Sequence, residues 1–327
     1  MKPDILIPKE DITHPPQAYD VCMWNPRWIA ILFTTAACAS AQSMPADYDA
    51  VLKTLGKQGD FKANVLKVNI PRSDLKVTID GTPTPTPFGF GGWLAMTKGD
   101  GGNDVMMGDL VLLEDEVNPV MSALLDNGFE ITALHNHFFF ESPRIFYMHV
   151  HGHGKAADLA QRVKPALDRI GRGAPQHQTT VSGGTSNVSA GRIDTVKIAG
   201  LVGHEGEESG PVYKITVGRD DLTLKEMGAS INARMGLNTW AAFFGSNDNA
   251  QIAGDVAMLG PEVTPVLKAL RANGLNVVAI HNHMVGTSPA IYFLHYQGTG
   301  PAERLAAGFK AALSELGKPQ SSHSGAH

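Results

Sequence analysis

The chain has 327 residues, of which 43% are hydrophobic and 18% charged, with a formal net charge of -5 and a pI near 6.2. That length carries two ordinary domains with cores of their own. The lack of a basic excess excludes nucleic acid or an anionic membrane surface as an electrostatically recruited partner, and the 35 glycines predict many turns and few long helices.

The N-terminal stretch reads as an export signal. Arg27 precedes the apolar run Trp28-Ile-Ala-Ile-Leu-Phe33, and Ala39-Ser40-Ala41 fits the small-x-small rule for cleavage before Gln42. The run is too short to span a bilayer, so no transmembrane segment is expected. Asp4, Glu10, Asp11 and Asp20 do not suit a signal, which points to Met23 as the start and leaves residues 1–22 upstream of it. The expected location is periplasmic or secreted. Both cysteines, Cys22 and Cys38, precede the cut, so the exported form would have no thiol or disulfide. A lipoprotein anchored through Cys38 is the alternative, although Thr35 stands where a lipobox carries leucine.

Beyond the signal the chain is a duplication. Gly108–Gly154 aligns with Gly254–Gly300 without a gap, and 21 of the 47 positions are identical at an offset of 146. Upstream the offset is 147, pairing Arg72 and Asp74 with Arg219 and Asp221, and Trp93 with Trp240. The chain divides into repeat unit one (48–170), a Gly/Ser/Thr/Gln-rich linker (171–192), repeat unit two (193–316) and a polar tail expected to be disordered (317–327).

Within unit one, Thr82–Pro87 reads as a stiff extended segment that cannot lie in a sheet centre. A helix is predicted next, with Asn118 as N-cap and Pro119 at its first position; Thr264 and Pro265 occupy the same places in unit two. Val117, Val120, Met121 and Leu124 form its apolar stripe, matched by Val263, Val266, Leu267 and Leu270, and Gly128 and Gly274 stop it. Strands are expected over 129–137 and 275–283, turns at Ser142-Pro143 and Ser288-Pro289, return strands over 145–151 and 291–297, and a last helix from near Lys155 or Pro301. The order strands, helix, strand, strand, helix predicts an α+β fold: two tandem duplicated α/β-sandwich-like units with mostly antiparallel sheet.

The histidines carry the chemistry. His135, His137, His149, His151 and His153 crowd one window, and His281, His283 and His295 the corresponding one. Residues two apart on a strand share a face, so His135 pairs with His137, and His149 with His151 and His153. A hairpin loop of odd length would turn both sets to one face; an even one would separate them. Converging imidazoles suit a transition metal, zinc before copper or nickel, and not calcium or magnesium. The candidate ligands are His135, His137, His149, His151, His281, His283 and His295. A metal-free cluster that binds an organic ligand, or buried structural histidines, are the competing readings. Copy two has Gln297, Thr299 and Thr287 where copy one has His151, His153 and Glu141. A tight site is therefore expected in copy one, with a weak or empty one in copy two. Asn136 and Asn282 are expected to satisfy backbone or orient a ligand. Asp109 and Asp255 read as turn aspartates, with partners for imidazole N–H groups as the alternative. Trp93 and Trp240 read as core, and Arg72–Asp74 and Arg219–Asp221 as local ion pairs.

His135-x-His137-x3-Glu141 fits the first metal motif of the cupins, but Thr287 breaks it in copy two and the preceding helix does not suit a barrel. The block Gly-Asp-x3-Leu, Glu-Val-x-Pro-Val, Ala-Leu, Asn-Gly, x-Ala-x-His-Asn-His resembles the LppY/LpqO family of exported bacterial proteins, a domain of unknown function. The resemblance implies export, and in some members lipid attachment, but no activity and no catalytic residues. The functional expectation is an exported protein that binds a transition metal through duplicated His-Asn-His hairpins. The alternatives are a metal-dependent hydrolase of the cell envelope and a metal-free module for a sugar or cell-wall ligand. The partner expected is a metal ion or small molecule.

Overall fold

Asp104–Leu113 is buried at every position, although an antiparallel strand with one wet face would alternate. Its sheet is covered on both sides, and the whole architecture follows from what does the covering. This computed structural model describes residues 43–172 and 191–318. The expected signal, both cysteines, most of the linker and the tail beyond 318 lie outside the described residues.

Unit one runs α1 (Ala46–Leu55), β1 (Asp60–Lys62), β2 (Val65–Pro71), β3 (Val77–Ile79), β4 (Thr82–Thr84), β5 (Gly91–Lys98), β6 (Asp104–Leu113), α2 (Glu114–Asp126), β7 (Glu130–His135), β8 (Glu141–Ser142), β9 (Ile145–Gly154) and α3 (Ala156–Leu167). Unit two repeats this as α4 (Thr195–Val202), β10 (Gly206–Ser209), β11 (Val212–Gly218), β12 (Leu224–Glu226), β13 (Ala229–Ile231), β14 (Asn238–Gly245), β15 (Ala250–Leu259), α5 (Gly260–Ala272), β16 (Asn276–His281), β17 (Ile291–Gly300) and α6 (Ala302–Leu313). Each unit builds one six-stranded antiparallel sheet, in the orders β1-β2-β5-β6-β9-β7 and β10-β11-β14-β15-β17-β16. The predicted α+β class with two similar, mostly antiparallel units holds. No helix among the described residues is long and apolar enough to cross a membrane.

Three helices cover the outer face of each sheet. Tyr48 and Val51 of α1, Val120 and Leu124 of α2 and Leu159 and Val163 of α3 pack on Leu66, Val68, Leu94, Leu110, Met148 and Val150. The opening helices α1 and α4 were missed by the expected order, which began on strands. The start of α2 also differs: it begins at Glu114, so Pro119 lies inside it. The reason is Glu116, whose Oε2 accepts the Leu113 N–H at 2.8 Å and so caps the helix three residues in. Glu262 does the same for Leu259 at 2.7 Å. Arg72 and Arg219 hold these carboxylates in place, at 2.6 and 2.8 Å, while each also pairs with its expected aspartate. Gly128 and Gly274 follow the helices with positive φ, as expected. The Thr82–Thr84 segment is an edge strand of a small three-stranded sheet, in keeping with its prolines.

The inner faces of the two sheets are covered reciprocally. Val77, Ile79, Phe88 and Phe90, from the excursion between β2 and β5, pack with Val212, Ala242 and Ala253 of unit two. Leu224, Ala229, Ile231 and Met235, from the matching excursion of unit two, pack with Val65, Ala95, Val105 and Met107 of unit one. Each unit covers the other with the same element, the contact pattern of a two-fold, dimer-like association.

Candidate functional site

The cross-strand register lines up one row of side chains on each inner face. In unit one, Trp93 lies opposite Asp109, Asp109 opposite His149 and His149 opposite Ala133. In unit two the row is Trp240, Asp255, His295 and Ala279. Asp109 and Asp255 are therefore buried mid-strand residues, and the expectation that they are turn aspartates is corrected. One step along, His135 lies opposite Tyr147, and His281 opposite Phe293.

Strands β7 and β16 end at His135 and His281, two residues short of the expected limits. His137 and His283 reach the same face because the intervening asparagine pins the turn. Asn136 Nδ2 donates to the Ile145 carbonyl at 2.6 Å, and Asn282 Nδ2 to that of Ile291 at 2.7 Å. The two imidazoles then stack on the rings of Tyr147 and Phe293.

Both sets of histidines meet between the sheets. Ring centroids lie 3.8 Å apart for His135 and His281, 3.6 Å for His137 and His295, and 3.9 Å for His149 and His283. The last two pairs exchange under the duplication, and the first maps onto itself. The expectation of two separate sites is thus corrected: each copy's inner face is closed by the other copy, so one cluster holds six of the seven proposed ligands. His151 lies apart. Its Nε2 is 3.3 Å from Glu226 and its Nδ1 3.8 Å from Glu130, because it stands one residue pair farther along β9, where β12 of unit two crosses. His153 is 3.6 Å from Asp100. Glu141 does not join the cluster either; its Oε1 accepts the Ile145 N–H at 2.9 Å.

Three groups among the described residues bring ligand atoms within 4.8 Å of one another: His135 with His149 and His281, His135 with His137 and His295, and Asp255 with His281 and His283. The first two draw on both copies. The electrostatics favour the neutral form of five of these rings. Burial, reinforced by neighbouring imidazoles, pushes His135 down to about 2 and holds His137, His149 and His281 well below the usual histidine range. Burial pushes His295 down to about 4, with Asp255 opposing it. Asp255 lies below the usual carboxylate range: burial raises it, but His295 and His283 outweigh burial. Asp109, raised by burial and then by the charge of Asp255, holds its proton well above that range.

Buried polar atoms without a hydrogen-bond partner concentrate here: Nε2 of His135, His149 and His295, Nδ1 of His281 and His283, both ring nitrogens of His137, and Oδ1 of Asp109. His295 shows how such a lone pair is aimed. Its Nδ1 donates to the Gly254 carbonyl at 3.2 Å, which leaves Nε2 bare.

One side of the cluster opens into a cavity of about 440 Å³, whose lining includes His137, His283, His295, Asp109 and Asp255. Trp93 and Trp240, which pack against the core as expected, are half-buried and line the cavity as well. Each carries a lysine over its ring, Lys67 at 4.7 Å and Lys214 at 3.9 Å. Sequence reasoning missed both lysines. The signal was the repeat itself, since Lys67 and Lys214 stand at the same offset as the two tryptophans.

The family model described as "Domain of Unknown Function (DUF1259)" matches the chain twice, over residues 49–169 and 196–315. No curated protein matches it. Among solved structures, a trimeric bacterial microcompartment shell protein, PduB, aligns with 15% identity over 79% of this chain and 93% of its own, at a TM-score of 0.19. EtuB from Clostridium kluyveri aligns with 9% identity over 79% and 90%, also at a TM-score of 0.19. At such scores neither likeness bears on the fold or the function.

Proposed function

The chain belongs, in both halves, to the family described as "Domain of Unknown Function (DUF1259)", and we propose that it binds a transition metal in one centre shared between its repeats. The observation that carries this reading is the convergence of six buried imidazoles, each with at least one ring nitrogen that lacks a partner. A buried polar atom left unsatisfied costs about 1–3 kcal/mol, and seven such ring nitrogens in one cluster need a common partner. Neutral imidazole is a ligand for zinc, copper and nickel, and zinc is the first choice for a set of nitrogens with one carboxylate. His135 with His149 and His281, His135 with His137 and His295, or Asp255 with His281 and His283 would hold it. A metal bound there supplies Lewis acidity or simple storage. The imidazoles fix its position, and the Asn136 and Asn282 turns orient two of them.

The hydrolase alternative draws support from the cavity, which gives a substrate access to His137, His283 and His295. Export, the finer LppY/LpqO resemblance and a periplasmic location belong to the same proposal, and N-terminal sequencing of the exported species should read from Gln42. The deciding experiment is elemental analysis of untagged protein with zinc titration by calorimetry. Tight binding is expected. Replacing His135 and His281 together by alanine should weaken it at least about a hundredfold, since even outer-shell losses cost 10–100-fold. A folded protein that takes up no zinc, copper or nickel would overturn the reading.

A further inference from the structure

Several cations among the described residues have carboxylate partners. Arg72 and Arg219 each bind two, Lys98 binds Asp47 and Asp104, and Arg234 binds Asp60. Lys67 and Lys214 differ. Both line the cavity beside the histidine cluster, and no carboxylate among the described residues forms an ion pair with either. Each is held instead over a tryptophan. They are near enough to feel one another: burial and then the Lys67 charge bring Lys214 down to about 8, against the opposing charges of Asp255 and Asp109. Bringing two like charges together without partners costs free energy, and the duplication places a lysine here in both halves.

We propose that this cavity binds a small dianionic oxyanion, a dicarboxylate or a phosphate, between Lys67 and Lys214 with the histidine cluster as its floor. The inference rests on the metal reading for the charge of that floor.

The other charges around the cavity fit this assignment. Burial raises the Asp109 carboxyl well above the usual carboxylate range, which lessens its repulsion of an anion. Asp255 is occupied: its Oδ1 accepts the Leu294 N–H at 3.0 Å, and its Oδ2 lies 3.5 Å from His283 Nε2. Arg234 is neutralised by Asp60, and Glu205 and Glu207 are exposed at the rim, screened by water. Two ammonium groups thus face the cavity, each over a tryptophan ring, with Asp109 acting on both, Asp60 on Lys67 and Asp255 on Lys214 without closing an ion pair. The floor is built for a ligand. His137, His283 and His295 are 5%, 6% and 2% exposed and present unpartnered ring nitrogens. A cavity of about 440 Å³ lies within the range of small-molecule sites. Two ammonium groups related by the duplication suit a ligand with an acidic group at each end, or one doubly charged group between them.

The test uses the zinc-loaded full chain, titrated by calorimetry at low salt with malonate and, separately, with inorganic phosphate. The tighter of the two identifies the acid group. Lys67→Met and Lys214→Met keep the aliphatic stems packed on Trp93 and Trp240. Each should weaken the anion at least about tenfold, with zinc content unchanged, and Lys67→Arg should restore most of the loss. The proposal is overturned if wild-type protein binds neither anion, or if the methionine variants bind as tightly as wild type. If the protein holds no zinc, the metal reading fails separately. The same titrations on the metal-free chain then decide: binding that depends on the lysines sustains the anion site, and its absence ends it.

Discussion

His149 and His283 come from different copies, yet their rings are 3.9 Å apart. A substitution in either copy therefore strikes the same centre. His149→Ala and His283→Ala should each weaken zinc binding by about tenfold or more, whereas His151→Ala, beside Glu226 and Glu130, should leave it unchanged. Calorimetric titration of the three variants checks this, and a His283 variant with undiminished affinity would restore the picture of independent sites. Glu141 offers a second test at this scale. One oxygen is buried without a partner, and burial pushes its carboxyl up to about 8. The folded state thus prefers the protonated form. The stability Glu141 contributes is complete below its unfolded value of about 4.5 and is lost as the pH rises through about 8, with a limiting slope of about 1.4 kcal/mol per pH unit. Glu141→Gln should be more stable than wild type above pH 8 and should lose that advantage below pH 4.5; urea denaturation across this window measures it.

The helices after β6 and β15 show how a buried ionic group sets an element's boundary. Proline at the first position would have started α2 at Pro119, yet Glu116 starts it at Glu114 by capping Leu113. Arg72 also donates to the Val111 carbonyl at 2.8 Å, and Glu116 Oε1 accepts the Gly171 N–H at 2.6 Å. One carboxylate thus ties together β6, α2 and the chain beyond α3, and Glu262 repeats the arrangement with Arg219 and Gly317. Removing the guanidinium leaves a buried carboxylate uncompensated. Arg219→Met should destabilise the protein by about 3–5 kcal/mol, read from the midpoint of chemical denaturation. A loss near zero would mean that water or Asp221 rearrangement replaces the pair.

At the scale of the whole molecule, the two units share their inner cores and the histidine cluster, and the described residues form one unit by their contacts. They should unfold together in one transition. A ligand at 100 times its dissociation constant adds about 2.7 kcal/mol, which for a chain of this size raises the midpoint by about 5 °C or more. Calorimetric scans with and without zinc should therefore show a single peak that moves as a whole. Two peaks, only one of them metal-sensitive, would contradict a shared centre.

Much of this was legible in the residues. The offset of 146 revealed the duplication, strand alternation set His135 and His149 on the faces they occupy, and Gly128 and Gly274 marked the helix ends. Helix α1 was legible too, in the spacing of Tyr48, Val51, Leu52 and Leu55, and was overlooked. What no periodicity could supply was the partner of each inner face. Alternation says which side of a strand is buried, but not what buries it. A repeat that packs on its twin and a repeat that packs on itself leave the same apolar pattern. The sequence by itself determined two α+β units, the side chains on each face and the kind of chemistry they offer. Only the tertiary structure decided that the two faces close on each other. It merged two expected sites into one, left His151 outside it and brought Lys67 and Lys214 to the same cavity, because these contacts span about 150 residues of chain and depend on the fit of surfaces, not on local spacing.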